Sequence, residues 1–94
     1  MVVKQVATCA SVIDGDTFET DSKQRIRLAR VYVPEISTRA GVRARNTLMA
    51  IINRRVISYE VVARDDYGRR ICEVWVDHVN VNDWMIAKGY AKPQ

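Results

Sequence analysis

Short segments that favour β-structure alternate with turn residues through the first third of the chain, and this alternation restricts the fold more than any other feature. Residues 2–13, 17–20 and 25–32 are rich in β-branched or regularly alternating apolar side chains. Turn-forming residues separate these segments at positions 14–16 and 21–24. The pattern therefore predicts three consecutive strands joined by tight turns.

Local residue types add detail to these strands. We expect Gly15 to take the positive φ that a tight turn requires, and we expect the first strand to bend near residues 9–11. Period-two alternation gives the third strand two faces, which hold Ile26 and Leu28 and, on the opposite side, Arg27, Ala29 and Val31.

A helix is predicted over residues 39–52, where apolar side chains recur at steps of three and four. Pro34 ends the third strand before it, because proline cannot donate to a strand ladder. Ser37 and Thr38 are both candidate N-caps, and Asn53 is a plausible stop.

The second half of the chain predicts two more strands and a short helix. The strands cover residues 56–63 and 70–76, with a loop at 64–69 between them. The helix covers residues 82–88 and is closed by Gly89 at the C′ position. With its 94 residues, the chain is expected to form one domain over residues 1–94. It is predicted to be mainly β (α+β): a five-stranded OB-fold Greek-key barrel with a helix between strands 3 and 4 and a short C-terminal helix.

The charge of the chain favours a polyanionic partner. Fifteen Lys and Arg residues against eleven Asp and Glu give a net charge of +4, and arginine is much commoner than lysine. Arginine binds phosphate oxygens through a planar, bidentate fork, whereas lysine offers a point charge. Nucleic acid is therefore a natural candidate partner, although a net charge of this size does not require one.

Several other classes of protein are disfavoured. No apolar run approaches the roughly 18–20 residues that span a bilayer, so no membrane partner is expected. The N-terminal residues lack the pattern of a signal peptide in the sequence as given, and the compartment is left open. Cys9 and Cys72 with one histidine, His78, do not form a usual zinc site. Buried free thiols are the simpler interpretation, and a disulfide between the two cysteines stays open.

Carboxylates and guanidinium groups recur at a few positions in an order that suits phosphodiester cleavage. Asp14 and Asp16 offer an acidic cradle for a metal, Arg27 and Arg69 offer cations for the phosphoryl oxygens, and Glu35 offers a group to act on water. Each residue alone is better explained as a turn or a solvated surface charge. As an ordered set they predict a nuclease.

Five segments of the chain resemble the staphylococcal nuclease (thermonuclease) family, in the order of that family. They cover the chain from about residue 11 to residue 91. The segments are Val12-Ile13-Asp14-Gly15-Asp16-Thr17, Arg25-Ile26-Arg27-Leu28, Val33-Pro34-Glu35, Asp65-Asp66-Tyr67-Gly68-Arg69, and Val79-Asn80-Val81-Asn82 with Lys88-Gly89-Tyr90-Ala91.

The resemblance implies a metal-assisted nuclease that binds Ca²⁺. Asp16 resembles the metal carboxylate, Arg27 and Arg69 resemble the phosphate-binding arginines, and Glu35 resembles the general base. Oxygen ligands suit a hard cation such as Ca²⁺, and fixed arginines stabilise charge in the transition state. Because neighbouring cations keep a carboxylate ionised and weakly basic, we expect Glu35 to orient water more than to abstract its proton.

The chain departs from the family at Tyr32, where an aspartate normally completes the metal site. Neutral tyrosine is a poor Ca²⁺ ligand. The neighbouring backbone carbonyl of Val33 could still bind the metal, and Asp14 or Asp66 could compensate. The loop between Glu35 and the helix is also short, and many relatives continue beyond the equivalent of residue 94 into a third helix.

Tyr67 is expected to bind substrate with the two arginines, and Tyr59 is a weaker stacking candidate. Trp75 and Trp84 lie in apolar contexts and are expected in the core. We expect the solvent-exposed face of the helix to carry Arg39, Arg43 and Arg45.

The expected substrate is single-stranded DNA or RNA, because a small barrel accepts a splayed chain and phosphate contacts do not read sequence. Tyr32 favours an alternative, a nuclease-like domain that binds nucleic acid or protein without cleaving. A barrel whose matching residues have only a structural role is a third possibility. The choice between DNA and RNA and the oligomeric state stay open.

Overall fold

Six strands and two helices make up the fold in the computed structural model, which describes residues 4–92. Their bounds are β1 Gln5–Asp14, β2 Thr17–Thr20, β3 Arg25–Leu28, α1 Arg39–Ile52, β4 Val56–Arg64, β5 Arg70–Val76, β6 Val79–Asn80 and α2 Val81–Ala87. No helix among the described residues is both long and apolar enough to cross a membrane.

The first five strands close into a barrel. Neighbouring strands follow the order β3-β2-β1-β4-β5-β6, and β3 also pairs with β5 in parallel, which joins the two sides of the sheet. The other pairings are antiparallel. This closure, with α1 between β3 and β4, confirms the predicted OB-fold barrel.

Strand β1 is long enough to pair with strands on both of its edges. Its first half pairs with β4 and its second half with β2. The register shifts between Cys9 and Ser11, where β1 has one residue more than β2. Such a bulge bends a strand, and it lies where the sequence predicted a bend. The predicted start of β1, at residues 2 and 3, lies outside the described residues.

Strand β3 is shorter than predicted. It ends at Leu28, because Arg30 adopts a left-handed conformation with φ of 67° and turns the chain. A left-handed arginine is unfavourable by itself. Its guanidinium, however, donates to both carboxylate oxygens of Glu73, at 3.0 and 2.7 Å, and lies 2.9 Å from Asp83. The prediction that Ala29 and Val31 continue the strand on the same face as Arg27 is therefore wrong, because both lie beyond its end, where they are buried.

Two details of the C-terminal part were also wrong. The short strand β6 was not predicted, and it pairs with the end of β5 across a turn in which Asp77 has a φ of 54°. Helix α2 begins one residue earlier than predicted, with Asn80 as its N-cap, and its last residue is Ala87. Gly89 has a φ of 106°, as expected of a residue that closes a helix.

Gly15 does not have the role that was predicted for it. Among the described glycines, only Gly68 and Gly89 have a positive φ. At Gly15 the constraint is space, since a Cβ would lie 2.7 Å from the Cβ of Ala44 and 2.9 Å from Cγ1 of Val33. The turn between β1 and β2 is thus packed against α1.

Helix α1 has the predicted bounds, and Thr38 rather than Ser37 is its N-cap, with its side chain accepting from the amide of Gly41. The buried side of α1 packs against a core to which every part of the barrel contributes. The core includes Phe18, Ile26, Leu28, Leu48, Ile57, Val74 and Met85.

Both cysteines belong to this core as free thiols. Burial raises the pKa of both thiols, that of Cys72 to about 11. The prediction of buried free thiols is confirmed. Trp84 is partly buried against the core, as expected. The expectation for Trp75 is wrong, because its partly buried ring lies outside the core cluster, with Nζ of Lys4 at 3.9 Å from its centroid.

Substitution of Gly41 by alanine should destabilise the protein, although alanine normally favours a helix. A Cβ at this position would overlap the carbonyl group of Glu35 and lie 2.9 Å from Cα of Ile36. Overpacking of this kind costs about 1–3 kcal/mol, and urea unfolding would measure it. Ala50→Gly, at an exposed site in the same helix, is the control and should cost about 1 kcal/mol. A Gly41→Ala protein more stable than the parent would contradict this packing.

Candidate active site

One cavity of about 340 Å³ gathers charged residues from distant parts of the chain. It is lined by Asp14, Asp16, Arg27, Val33, Pro34, Glu35, Ile36 and Arg69, and we call it the charged cavity. The five ionisable residues that the sequence singled out for phosphodiester chemistry all line it. The fold therefore brings them together, and their chemical roles stay predictions.

Barrel closure brings the two arginines to the same cavity. In the parallel pairing of β3 with β5, Ile26 is opposite Arg70 and Arg27 is opposite Ile71. Arg69 immediately precedes β5, so its backbone lies beside β3 although 42 positions separate the two arginines in sequence.

The Arg27 guanidinium is held by the chain that follows it. Nη1 donates to the carbonyl of Leu28 at 3.2 Å, and Nη2 donates to the carbonyl of Val31 at 3.3 Å. Nη2 also lies 3.4 Å from Oδ2 of Asp16. The side chain is 18% exposed, so the group is restrained but still reaches the cavity.

A compact loop holds the Arg69 side chain. Nε donates to Oδ2 of Asp65 at 2.6 Å. Oδ1 of Asp65 accepts from the backbone amides of Tyr67 and Arg69, at 3.0 and 2.9 Å. Desolvation raises the pKa of the Asp65 carboxyl, but these hydrogen bonds outweigh it and hold the pKa below its usual range. The ionised Asp65 thus fixes both the loop and the guanidinium.

Thr17 links the acidic side of the cavity to Arg69. Its hydroxyl donates to Oδ1 of Asp16 at 2.9 Å and accepts from Nη1 of Arg69 at 3.3 Å. Thr17 is buried. Sequence reasoning did not assign it a role, although its position next to Asp16 in the family-like segment was a usable signal.

Glu35 is positioned through its backbone and leaves its carboxylate free. Its carbonyl accepts from the amide and the hydroxyl of Thr38, at 3.0 and 2.6 Å. The start of α1 can approach it because residue 41 is glycine. Within residues 4–92 the Glu35 carboxylate makes no ion pair and no side-chain hydrogen bond, and the residue is exposed at the edge of the cavity.

Comparison with known proteins identifies the family. The model of the family described as "Staphylococcal nuclease homologue" matches residues 25–94. The chain belongs to the staphylococcal nuclease family. The match covers β3 to the C-terminal residue, and the acidic turn at residues 14–16 precedes it.

Three curated relatives of this nuclease-family chain are considerably longer than the aligned part. "Protein ParB" of Escherichia coli is 35% identical over 92 residues, which is 85% of this chain and 52% of that protein. Two proteins of Oryza sativa subsp. japonica are named "Probable staphylococcal-like nuclease", CAN4 and CAN1. They are 28% and 32% identical over 69 residues, or 73% of this chain, and the alignments cover 14% and 21% of their lengths. The chain thus spans about half or less of these relatives.

The tyrosines lie at different depths around the site of this nuclease-family barrel. Tyr32 and Tyr67 are exposed, and their rings lie 5.5 Å from the Arg27 guanidinium and 5.8 Å from that of Arg69. Tyr59 is buried, and its hydroxyl contacts Gln5 at 3.1 Å. The prediction that Tyr59 could stack on a base is therefore wrong, because its ring is inside the barrel.

Two carboxylates beside each other form the oxygen-rich part of the cavity. The Asp16 amide donates to Oδ1 of Asp14 at 3.1 Å. Burial, and next the contact with the Asp14 carboxyl, raise the pKa of Asp16 to about 6, although the hydroxyl of Thr17 and the guanidinium of Arg27 act in the opposite direction. The ion pair with Arg27 thus only partly compensates the negative charge.

This oxygen set fits a hard divalent cation, because carboxylates that repel each other are relieved by a shared positive charge. The described residues contain no cluster of three or more His, Cys, Asp or Glu side chains at metal-binding spacing. Neutral oxygens and water would therefore have to complete the coordination. Tyr32 adds no carboxylate to this oxygen set, as we expected from the sequence.

Asp16→Asn should stabilise the metal-free protein at neutral pH. A raised folded-state pKa means that the native protein binds the proton more tightly than the unfolded chain does. Stability therefore falls as the pH rises from about 4 to about 6. The asparagine variant lacks this loss, so at pH 7 it should gain on the order of 1–3 kcal/mol. Urea unfolding in chelator at pH 4 and pH 7 measures both effects.

The matched control is Asp66→Asn, which removes the same charge from an exposed loop residue. It should change the stability by less than about 0.5 kcal/mol. Equal effects of the two substitutions at pH 7 would contradict the inference that the ionised Asp16 carboxylate destabilises the folded protein.

Proposed function

We propose that this chain is a metal-assisted phosphodiesterase that hydrolyses DNA or RNA. The observation that carries the proposal is the charged cavity itself, where two restrained guanidinium groups, a free carboxylate and an acidic pair lie together. Membership of the staphylococcal nuclease family and the names of the two rice relatives support it. Because the chain spans about half or less of its curated relatives, the proposal concerns this domain and not a longer protein.

In this proposal Arg27 and Arg69 bind the phosphoryl oxygens. Hydrolysis adds negative charge to these oxygens in the transition state, and cations that are already in place stabilise it without reorganising. The hydrogen bonds of Arg27 to backbone carbonyls and of Arg69 to Asp65 supply that preorganisation. A guanidinium has five N–H donors, so each arginine keeps donors beyond those contacts for the substrate.

Glu35 would orient the attacking water. Its carboxylate is exposed at the cavity and has no partner of its own among the described residues, so it is available to accept from water. The capping contact of Thr38 fixes the backbone from which this side chain extends. Positioning the water is the contribution that we expect from this side chain.

Asp16 and Asp14 would hold a divalent cation, with the carbonyl of Val33 as a third oxygen. Ca²⁺ accepts six to eight oxygen ligands in flexible geometry, and water can provide those that the protein lacks. When bound, such an ion supplies Lewis-acid polarisation of the phosphoryl group. The positive charge would also relieve the repulsion between the two aspartates.

The substrate is expected to be single-stranded, with little sequence preference. The charged cavity presents arginine side chains that suit a phosphate. Exposed Tyr67 beside Arg69 offers a face on which any base could stack. Phosphate contacts of this type position a strand without reading its sequence.

Purified protein should degrade single-stranded DNA or RNA in millimolar Ca²⁺ and should stop when the ion is chelated. Arg27→Ala and Arg69→Ala should each lower kcat/KM by about 10²–10³, because each removes a transition-state cation. Release of acid-soluble nucleotides measures the rate. Variants purified in the same way also exclude a contaminating nuclease.

Arg25→Ala is the matched control, since Arg25 lies on the same strand but points to solvent, where it lies 3.7 Å from Glu19. It should keep nearly full activity. Equal losses in all three variants would attribute the effect to net charge and would contradict the proposed roles.

Tyr32 favours a second candidate function, a nuclease-like domain that binds nucleic acid but does not cleave it. The side chain stands at the position of a metal carboxylate in the family and offers a ring in its place. This candidate predicts that single-stranded DNA binds in Ca²⁺ without being cut.

Tyr32→Asp should then distinguish the two candidates. It restores a carboxylate and should lower the Ca²⁺ concentration for half-maximal activity by about tenfold or more, because ligand charge strongly tunes Ca²⁺ affinity. Activity in the parent that this substitution enhances supports the nuclease. Activity only in the variant supports the binding domain, and no Ca²⁺ response in either protein contradicts the metal site.

A further inference from the structure

A second groove adjoins the charged cavity and has a different chemical character. It has a volume of about 350 Å³ and is lined by Tyr32, Val33, Pro34, Gly89, Tyr90 and Ala91. We call it the apolar groove, because no charged side chain lines it. Val33 and Pro34 also line the charged cavity, so the two spaces adjoin at these residues.

Tyr32 forms the wall of this groove on a fixed stretch of backbone. Its amide donates to the carbonyl of Tyr90 at 2.9 Å, and the preceding Val31 forms a bridge with Ala91. The side chain is nevertheless exposed, at 40% for the residue. Because its backbone is fixed and its side chain is exposed to solvent, Tyr32 is a suitable platform for stacking.

Two cations lie over the Tyr32 ring. The Arg27 guanidinium lies 5.5 Å from the ring centroid, and the Lys92 ammonium lies 6.0 Å from it. Arg27 belongs to the charged cavity, whereas Lys92 lies outside that set. A polyanion that places one phosphate at Arg27 would therefore find an aromatic face next to it and a further cation beyond the ring.

We propose that the apolar groove is a nucleobase subsite in which Tyr32 stacks on the base next to the phosphate bound by Arg27 and Arg69. The inference rests on the proposed function, since it assigns the neighbour of that phosphate. A base suits the groove because it is flat and largely apolar on its faces, and because the phosphates of its strand would find Arg27 and Lys92 close to the ring. Stacking tolerates every base, so the subsite adds affinity for single strands without sequence preference.

The same arrangement recurs at the other arginine, and this gives the inference its internal control. Tyr67 lies 5.8 Å from Arg69, is 86% exposed and does not line the apolar groove. Each arginine of the charged cavity thus has an exposed tyrosine beside it. If both stack on bases, each should interact with a different nucleotide of one strand.

Two single-stranded DNA hexamers test the subsite: hexathymidylate, and a hexamer of the same length built from abasic residues. Both carry the same phosphates and differ only in bases. Binding is measured by fluorescence anisotropy in Ca²⁺ with the Glu35→Gln protein, in which cleavage is suppressed. Stacking of one base contributes about 1–3 kcal/mol, so hexathymidylate should bind about 5- to 150-fold more tightly.

Tyr32→Leu should remove a large part of that preference, and Tyr32→Phe should keep it, because phenylalanine retains the ring. The backbone amides of Gly89 and Ala91 should shift in ¹H–¹⁵N NMR spectra when hexathymidylate is added but not when the abasic hexamer is added. In the Tyr67→Leu control these two shifts should persist, since that substitution leaves the apolar groove intact.

The outcomes separate the subsite from the nuclease. Equal affinity for both hexamers, or base-dependent shifts that Tyr67→Leu abolishes and Tyr32→Leu does not, would overturn the subsite while arginine-dependent hydrolysis still supported the nuclease. Failure of the parent protein to bind either hexamer and to hydrolyse DNA or RNA would overturn both.

Discussion

Closure of the barrel through the parallel pairing of β3 with β5 is the constraint on which the rest of the structure depends. The buried side chain of Asn82 joins β5 to the residue that follows β3. Its Nδ2 donates to the carbonyls of Ala29 and Cys72 at 2.8 and 2.9 Å, and its Oδ1 accepts from the amide of Val74 at 2.8 Å. A buried amide with its hydrogen bonds satisfied fixes one arrangement of its neighbours. The register that follows puts Arg27 and Arg69 at one cavity.

The charged cavity is assembled at a cost in stability. Asp16 is buried beside Asp14, and its raised pKa means that the ionised form opposes folding at neutral pH. Two glycines serve the same assembly, because Gly15 lets the acidic turn pack on α1 and Gly41 lets α1 approach the backbone of Glu35. Local destabilisation such as that of the ionised Asp16 is common where groups are held for binding or chemistry.

Local patterns predicted the elements well where the deciding interactions are local. Helix α1 has its predicted bounds because the spacing of its apolar residues and its Thr38 cap are both local features of the sequence. The early end of β3 could not be predicted, because the left-handed Arg30 depends on ion pairs with Glu73 and Asp83, far away in sequence. Likewise, the requirement for glycine at position 15 comes from contact with α1 and not from its own turn.

The membership of the charged cavity was predictable mainly through resemblance to a family, since no periodicity shows that β3 pairs with β5. What neither route gave was the set of contacts that hold the groups. Thr17 links Asp16 to Arg69, and Asp65 fixes the loop that carries Arg69. The apolar groove was equally hidden, because residues 32–34 and 89–91 meet only in the folded chain.

If two guanidinium groups act on one phosphate, both should respond to it together, and ¹⁵N NMR of the arginine Nε groups tests this most directly. A nucleotide bisphosphate is titrated into the Glu35→Gln protein in Ca²⁺. We expect the Nε resonances of Arg27 and Arg69 to shift together, with one dissociation constant and a stoichiometry of one, while that of Arg25 does not move. Movement of only one of the two, or separate dissociation constants, would contradict it.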